Sequence, residues 1–200
     1  MISFALAVVF LILTPGPGVL TTAGFGAAYG FRRSLAYVLG LFIGTNLVML
    51  AVISGFAAVL LSLPWLRTVL VLASLAFLLY LAAKIAFAGA KIAFIAATAP
   101  PGIIGGVLLQ IVNPKAYAVN TSLITGFNYA PDAVVFELVT KVLIASAIWI
   151  PIHLLWLWAG VRVHELNLSK SRQRLINIGM ALALLTVVAL SLVSLLRPAP

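Results

Sequence analysis

The sequence TPGPG at residues 14–18 and the sequence NPKA at residues 113–116 decide the fold of this chain, because each places proline inside a long apolar run. Proline lacks the N–H group that a helix needs, and its ring collides with the carbonyl group four residues earlier. Each sequence therefore predicts a broken helix. The breaks are expected to free the carbonyl groups of Leu11, Leu13 and Gln110 from their helical hydrogen bonds.

The apolar runs around these breaks indicate a membrane protein. Of the 200 residues, 64% are hydrophobic and 8% are charged, whereas soluble domains carry about 25% charged residues. A helix of about 20 residues crosses a bilayer. Six apolar runs are each long enough for one crossing, and they cover residues 3–22, 35–61, 68–88, 103–124, 133–160 and 175–196. They are continuously apolar instead of alternating, so the predicted fold class is an all-α integral membrane protein with six spans. Only short loops remain, and no enzyme active site is expected.

The charges predict how the chain lies in the membrane. Its net charge of +9 arises from 12 basic and 3 acidic residues, and the basic residues flank apolar runs, unlike the continuous basic surface of a nucleic-acid-binding protein. Eight of them fall on one side of the predicted membrane: Arg32, Arg33, Lys84, Lys91, Arg162, Lys170, Arg172 and Arg174. That side is expected to be cytoplasmic. The prediction is a multi-pass membrane protein with both termini on the outer side.

The two halves of the chain are related by a constant shift. Pro15 and Pro114 are 99 residues apart, and the same shift carries Thr14 to Asn113. The same shift also carries Gly18 to Tyr117, Thr21 to Asn120 and Thr22 to Thr121. These positions lie four, seven and eight residues after the first one and therefore share one helical face. Three spans separate the breaks, so the second half enters the membrane from the opposite side. The prediction is one membrane domain built from two inverted three-helix repeats, residues 1–99 and 100–200.

Matched breaks with matched polar faces favour a binding site near the middle of the bilayer. A half-helix that begins there presents N–H groups and a partial positive charge, which stabilise a carboxylate. A kink that serves helix packing is the alternative, and for a lone proline it would be preferred. The predicted substrate-binding residues are Thr14, Pro15, Gly16, Pro17, Gly18, Asn113, Pro114, Lys115, Tyr117 and Asn120. Thr21 and Thr22 either line the same pathway or bond a neighbouring helix.

Lys115 is the most unusual of these residues, because a charged side chain at the bilayer centre costs at least about 2.5–3.5 kcal/mol. It can bind a substrate carboxylate, or it can satisfy the broken helix ends, and the sequence leaves both possibilities open. Lys115, Glu137 and His153 are the candidates for proton coupling. Glu137 and Lys141 are four residues apart and are expected to form an interfacial pair, with an outer gate as the alternative.

Glycine and tryptophan have simpler interpretations. Gly40 and Gly44 form a small-xxx-small pair, which is typical of close helix contact, and the alternative is contact with a second copy in a homodimer. Trp149 is interpreted as a packing residue or an interfacial anchor. The sequence has no cysteine and few carboxylates, so no metal site and no cofactor are expected.

These motifs resemble the LysE/RhtB family of amino-acid exporters. The resemblance extends over the whole chain and rests on residues 14–17, on Gly40 and Gly44, on Tyr80-Leu81 and on residues 113–116. It implies a six-helix inner-membrane exporter of amino acids or close relatives, driven by exchange for protons. Members often carry an aromatic-rich stretch after the second motif, whereas here residues 120–122 are Asn, Thr and Ser. The solute therefore stays open, and a scaffold or assembly protein, a passive channel and an exporter of another solute are the alternatives.

Overall fold

The computed structural model describes residues 1–14, 16–87, 99–166 and 169–196. These residues form helices and contain no strand. In chain order the helices are α1 (Ile2–Leu13), α2 (Pro17–Tyr29), α3 (Phe31–Ile53), α4 (Phe56–Ser62), α5 (Pro64–Ala86), α6 (Gly102–Val112), α7 (Pro114–Thr125), α8 (Val134–Glu165) and α9 (Lys170–Leu196). The all-α prediction is confirmed for this part of the chain.

Both proline sequences interrupt their helices, as predicted. The axes of α1 and α2 differ by 53° across the first break, and those of α6 and α7 by 67° across the second. Pro17 and Pro114 each occupy the first turn of the following half-helix, where the missing N–H group costs nothing. Pro15 lies outside the described residues. Pro114 removes the helical bond to the Gln110 carbonyl, as predicted, but the expectation that this carbonyl stays unpaired is wrong, because it accepts the N–H of Asn113 at 3.3 Å in a tightened last turn.

Three single helices in the described chain are long and apolar enough to cross a membrane: α3, α5 and residues 134–162 of α8. The two bent pairs raise this number to five if each pair is one span, so the count of six stays a prediction. The second predicted span, residues 35–61, is corrected. Gly55 adopts a left-handed conformation with φ of 76°, which glycine tolerates at a helix end, and it separates α3 from the short α4.

The helices define two ends of the molecule. At the basic end, where Arg32, Lys84 and Arg162 lie, the Tyr29 hydroxyl donates a hydrogen bond to the Lys84 carbonyl at 2.9 Å and joins α2 to α5. At the aromatic end, the ring of Phe4 in α1 packs edge-on against Phe127 with 5.7 Å between centroids. The described basic connections therefore gather at one end, whereas Lys91 lies outside the described residues.

Glycine brings helices into backbone contact at the basic end. A Cβ atom added to Gly40 of α3 would fall on the backbone of Ile103 in α6, and one added to Gly160 of α8 would fall on the Ala23 carbonyl in α2. Gly44 lies against α6 as well, with Val107 Cα 3.0 Å from its Cβ position. The predicted close helix contact of Gly40 and Gly44 is confirmed, and it lies within the chain. These crossings fix α2 and α6, the two half-helices of the basic end.

Candidate functional site

The two breaks line one cavity. The cavity has a volume of about 80 Å³ and is open at its mouth. The first break contributes Thr14 and residues 16–18, and the second contributes Gln110, Asn113 and Lys115. Residues of α3 and α8 form the rest of the cavity wall between the two breaks. Chain segments about half the sequence apart therefore meet at this cavity.

Lys115 connects the breaks directly. Its Nζ donates a hydrogen bond to the Thr14 carbonyl at 2.6 Å, across 101 residues of sequence. The Lys115 side chain packs directly against Gly16. A Cβ atom added to Gly16 would lie 2.7 Å from Lys115 Cδ and 3.0 Å from Nζ. On an ideal helix Lys115 would point about 200° away from Asn113, but the bend turns the chain so that both line the cavity. The ammonium group thus lies against the end of α1 and at the cavity wall.

Asn113 caps the half-helix α7. Its Oδ1 accepts the Lys115 N–H at 3.1 Å, and its carbonyl accepts the Ala116 N–H at 3.0 Å. The expectation of free N–H groups at both half-helices is therefore wrong for α7, because these first-turn donors are already satisfied. Half-helix α2 differs, since Gly16 at its N-cap has no side chain that could do the same.

Replacing Asn113 with alanine is expected to lower stability by about 1 kcal/mol, the usual contribution of a helix cap. A lower midpoint of thermal unfolding in detergent would measure the effect. Asn113→Ser keeps a capping oxygen and should recover part of the loss. Asn128→Ala, which changes an exposed loop residue, serves as the control. An unfolding midpoint equal to that of the unmodified protein would show that the cap contributes nothing.

Gln110 and Thr45 extend the polar wall and were missed by the sequence analysis. Asn113 Nδ2 donates to Gln110 Oε1 at 3.1 Å, and Gln110 Nε2 donates to Thr45 Oγ1. Gln110 is 5% exposed, and a buried amide needs such partners. Its place three residues before Asn113, on the same helical face, could have identified it. Thr45 is recognised only when α3 is seen to pack on α6.

Helix α8 forms the opposite wall. The rings of Trp149 and His153 stack with 3.5 Å between centroids, and His153 Nδ1 lies 3.1 Å from the Trp149 carbonyl. His153 Nε2 is 3.6 Å from the position of a Cβ atom on Gly18. Trp149 is buried, as a packing residue would be, and it also lines the cavity together with Ser146. The spacing of residues 146, 149 and 153 is that of one helical face.

The other predicted site residues lie in different surroundings. Asn120 is buried and lines the cavity, whereas Tyr117 and Pro114 are half-buried and are not on its described wall. Thr21 and Thr22 are fully buried, and their hydroxyl groups donate to carbonyl groups of their own helix. Thr21 Oγ1 also accepts a hydrogen bond from the Tyr37 hydroxyl of α3 at 2.9 Å, so Thr21 bonds a neighbouring helix. A place for Thr21 or Thr22 on the pathway stays a prediction.

Glu137 and Lys141 form the predicted pair, with 2.6 Å between Oε1 and Nζ. The other carboxylate oxygen accepts N–H groups of Tyr129 at 2.9 Å and Ala130 at 2.6 Å. Lys141 Nζ also donates to the Ile124 carbonyl at 2.9 Å. The pair therefore connects the end of α7 and the following loop to α8 at the aromatic end. Neither residue is on the described cavity wall. Gating and proton coupling by Glu137 stay predictions.

Replacing Glu137 with glutamine is expected to lower the thermal unfolding midpoint clearly, because Lys141 would keep a buried charge without its counter-charge. The matched control lies on the same helix. Glu165→Gln breaks the exposed pair with Arg162, whose atoms are 3.0 Å apart, and exposed pairs contribute little. Both variants are measured by thermal unfolding in detergent. Equal midpoints for the two variants would contradict the proposed fastening role.

Comparison with known proteins identifies one family. The sequence model of the LysE type translocator family matches residues 9–195, which includes both breaks and the described cavity wall. Comparison with curated proteins and with solved structures gives no match.

Proposed function

Because the chain belongs to the LysE type translocator family, we propose that it is a secondary transporter that exports amino acids or close derivatives across the inner membrane. Family membership and the apolar helices make it a multi-pass membrane transporter. The exported solute, the driving ion and the position of the site belong to the proposal.

The proposed substrate site is the cavity between the two breaks. One observation carries this assignment: Lys115 Nζ bonds the Thr14 carbonyl, so the two interrupted segments meet at a single cavity. Irregular backbone is tolerated at membrane depth where protein or a water-filled cavity satisfies it. Transporters use such discontinuous helices to bind solutes near the midplane. A kink made only for packing would not require a shared cavity.

Alternating access supplies the proposed mechanism. The two inverted repeats would rock about the cavity and expose it first to one side and then to the other. The glycine crossings of α3 with α6 and of α2 with α8 support a closed basic end in the present conformation. Exchange for protons is proposed from the family, and Lys115 and His153 are the ionisable side chains on the described wall.

The proposed orientation places the basic end in the cytoplasm, following the distribution of lysine and arginine. The chain has no cysteine, so a single introduced cysteine reports orientation without background. Asn128→Cys, in the exposed loop before α8, should react with a membrane-impermeant maleimide added to the periplasmic side of spheroplasts. Labelling only after the membrane is permeabilised would reverse the assignment.

Counterflow in proteoliposomes tests the transport function. Purified protein in vesicles preloaded with one unlabelled amino acid should take up the same labelled amino acid faster than protein-free vesicles do. In inverted membrane vesicles, a proton gradient should drive uphill accumulation. A passive channel would equilibrate the solute without accumulation, and a scaffold protein would show no exchange for any member of an amino-acid panel.

A further inference from the structure

The cavity wall is unevenly charged. Lys115 and His153 line it, and no carboxylate does so in the described part of the chain. The sequence has three acidic residues. Asp132 is exposed in a loop, Glu137 is held by Lys141, and Glu165 belongs to the exposed pair at the basic end. A positively charged side chain of a solute would find no counter-charge in this cavity.

The first turn of α2 is suited to a carboxylate. Its first intrahelical hydrogen bond runs from the Leu20 N–H to the Gly16 carbonyl at 3.0 Å. The N–H groups of Gly18 and Val19 precede this bond, so the helix itself does not use them. Both residues line the cavity. The partial positive charge at this end of the helix also stabilises a carboxylate.

Two side chains reach the same turn. His153 is 3% exposed, and its Nδ1 contacts the Trp149 carbonyl. Its Nε2, 3.6 Å from the Cβ position of Gly18, has no hydrogen-bond partner among the described residues. Lys115 Nζ lies 3.0 Å from the Cβ position of Gly16. The Lys115 ammonium group and the free N–H groups of α2 therefore lie on the same side of the cavity, whereas Nε2 of a neutral His153 is an acceptor, because Nδ1 donates to the Trp149 carbonyl.

Asparagine side chains offer neutral acceptors elsewhere on the wall. Asn46 Nδ2 donates to the Phe42 carbonyl at 2.9 Å, and Asn120 Nδ2 donates to the Ala116 carbonyl at 2.8 Å. Each amide nitrogen is thus used by its own helix, which leaves the amide oxygen as the acceptor. Ser146 Oγ lies 3.5 Å from Asn46 Oδ1. Such oxygens can bind one ammonium group without a carboxylate.

We propose, on the basis of the function proposed above, that the cavity binds an α-amino acid as a zwitterion with an uncharged, apolar side chain. The carboxylate lies at the first turn of α2, and the ammonium group lies against the oxygens of Asn46 and Asn120. The side chain lies against the apolar wall of Met49 and Trp149. Lysine and arginine are excluded, because their second positive charge would be buried at membrane depth without a partner.

Counterflow of labelled leucine and labelled lysine by the same proteoliposomes tests this assignment. Leucine is expected to exchange at least about tenfold faster than lysine, a difference equivalent to about 1.4 kcal/mol. Lysine exchange as fast as leucine exchange would overturn the substrate class while leaving the transport function intact. Failure of every amino acid in the panel would contradict the transport function as well.

Charge added to the apolar wall provides a second test. Met49→Asp is expected to gain lysine exchange and to lose leucine exchange, because the new carboxylate can pair with the lysine side chain. Met49→Asn has nearly the same shape without the charge, and it should not gain lysine exchange. If a folded Met49→Asp protein still exchanges leucine and rejects lysine, the side-chain placement is wrong. If that variant does not fold, the leucine-to-lysine ratio of the unmodified protein decides the proposal.

Discussion

Replacing Gly40 with leucine is expected to leave no folded protein in the membrane. A Cβ atom at this position would overlap with the carbonyl oxygen, the carbonyl carbon and the Cα atom of Ile103, which are all backbone atoms of α6. No rotamer change can relieve that overlap, so α3 and α6 must separate along their contact. Overpacking usually lowers the free energy of unfolding by about 1–3 kcal/mol and sometimes by more. A leucine side chain placed in a contact between two backbones is expected to cost an amount at the upper end of this range.

Gly179→Leu is the matched control for this substitution. Gly179 lies in α9, and no atom of the described residues lies within 4 Å of the position of its Cβ atom. Leucine is the better helix former by about 0.5–1 kcal/mol, so this variant should accumulate normally. Fluorescence-detected size-exclusion chromatography of detergent extracts measures both variants. A single symmetric peak of normal height for Gly40→Leu would show that α3 and α6 do not meet as described.

The positions of the breaks were predictable because proline acts locally. A missing N–H group and a clashing ring change the helix that contains them, whatever that helix packs against. Pro17 and Pro114 accordingly begin α2 and α7 in the structure. The state of the N–H groups after the second break was not predictable from the same rule, because Asn113 could cap α7 or line the cavity. Its side chain does both.

The walls from α3 and α8 depend on tertiary contacts that a single sequence does not specify. Gly40 and Gly44 indicate that a close partner exists, and the structure identifies it as α6. Thr45 follows Gly44 in the sequence, and it lies at the cavity because α3 packs on α6. This packing brings Thr45 Oγ1 to the amide nitrogen of Gln110. On the other side, the crossing of Gly160 with Ala23 brings the face of His153 toward α2. Glycine spacing therefore predicts contact, whereas the identity of the partner requires the fold.

Replacing Lys115 with methionine is expected to reduce counterflow per folded molecule by about ten- to hundredfold, since a hydrogen bond to a charged group contributes about 1.5–3 kcal/mol. Methionine keeps much of the length and packing of lysine but removes the ammonium group. That group lies at the meeting point of the two breaks, 2.6 Å from the Thr14 carbonyl. Counterflow is normalised to the monodisperse protein in each preparation, so a loss of folded protein does not count as a loss of transport.

Lys84→Met separates a transport role of Lys115 from a structural one. Lys84 also donates to a backbone carbonyl at 2.6 Å, that of Ala99, but it is not on the described cavity wall. Both variants lose a similar contact and should unfold at lower temperature. If Lys115 only satisfied the broken helix, the two variants would have the same transport per folded molecule. A selective loss in Lys115→Met shows that transport needs this ammonium group at the cavity, and full transport would assign Lys115 to the helix ends alone.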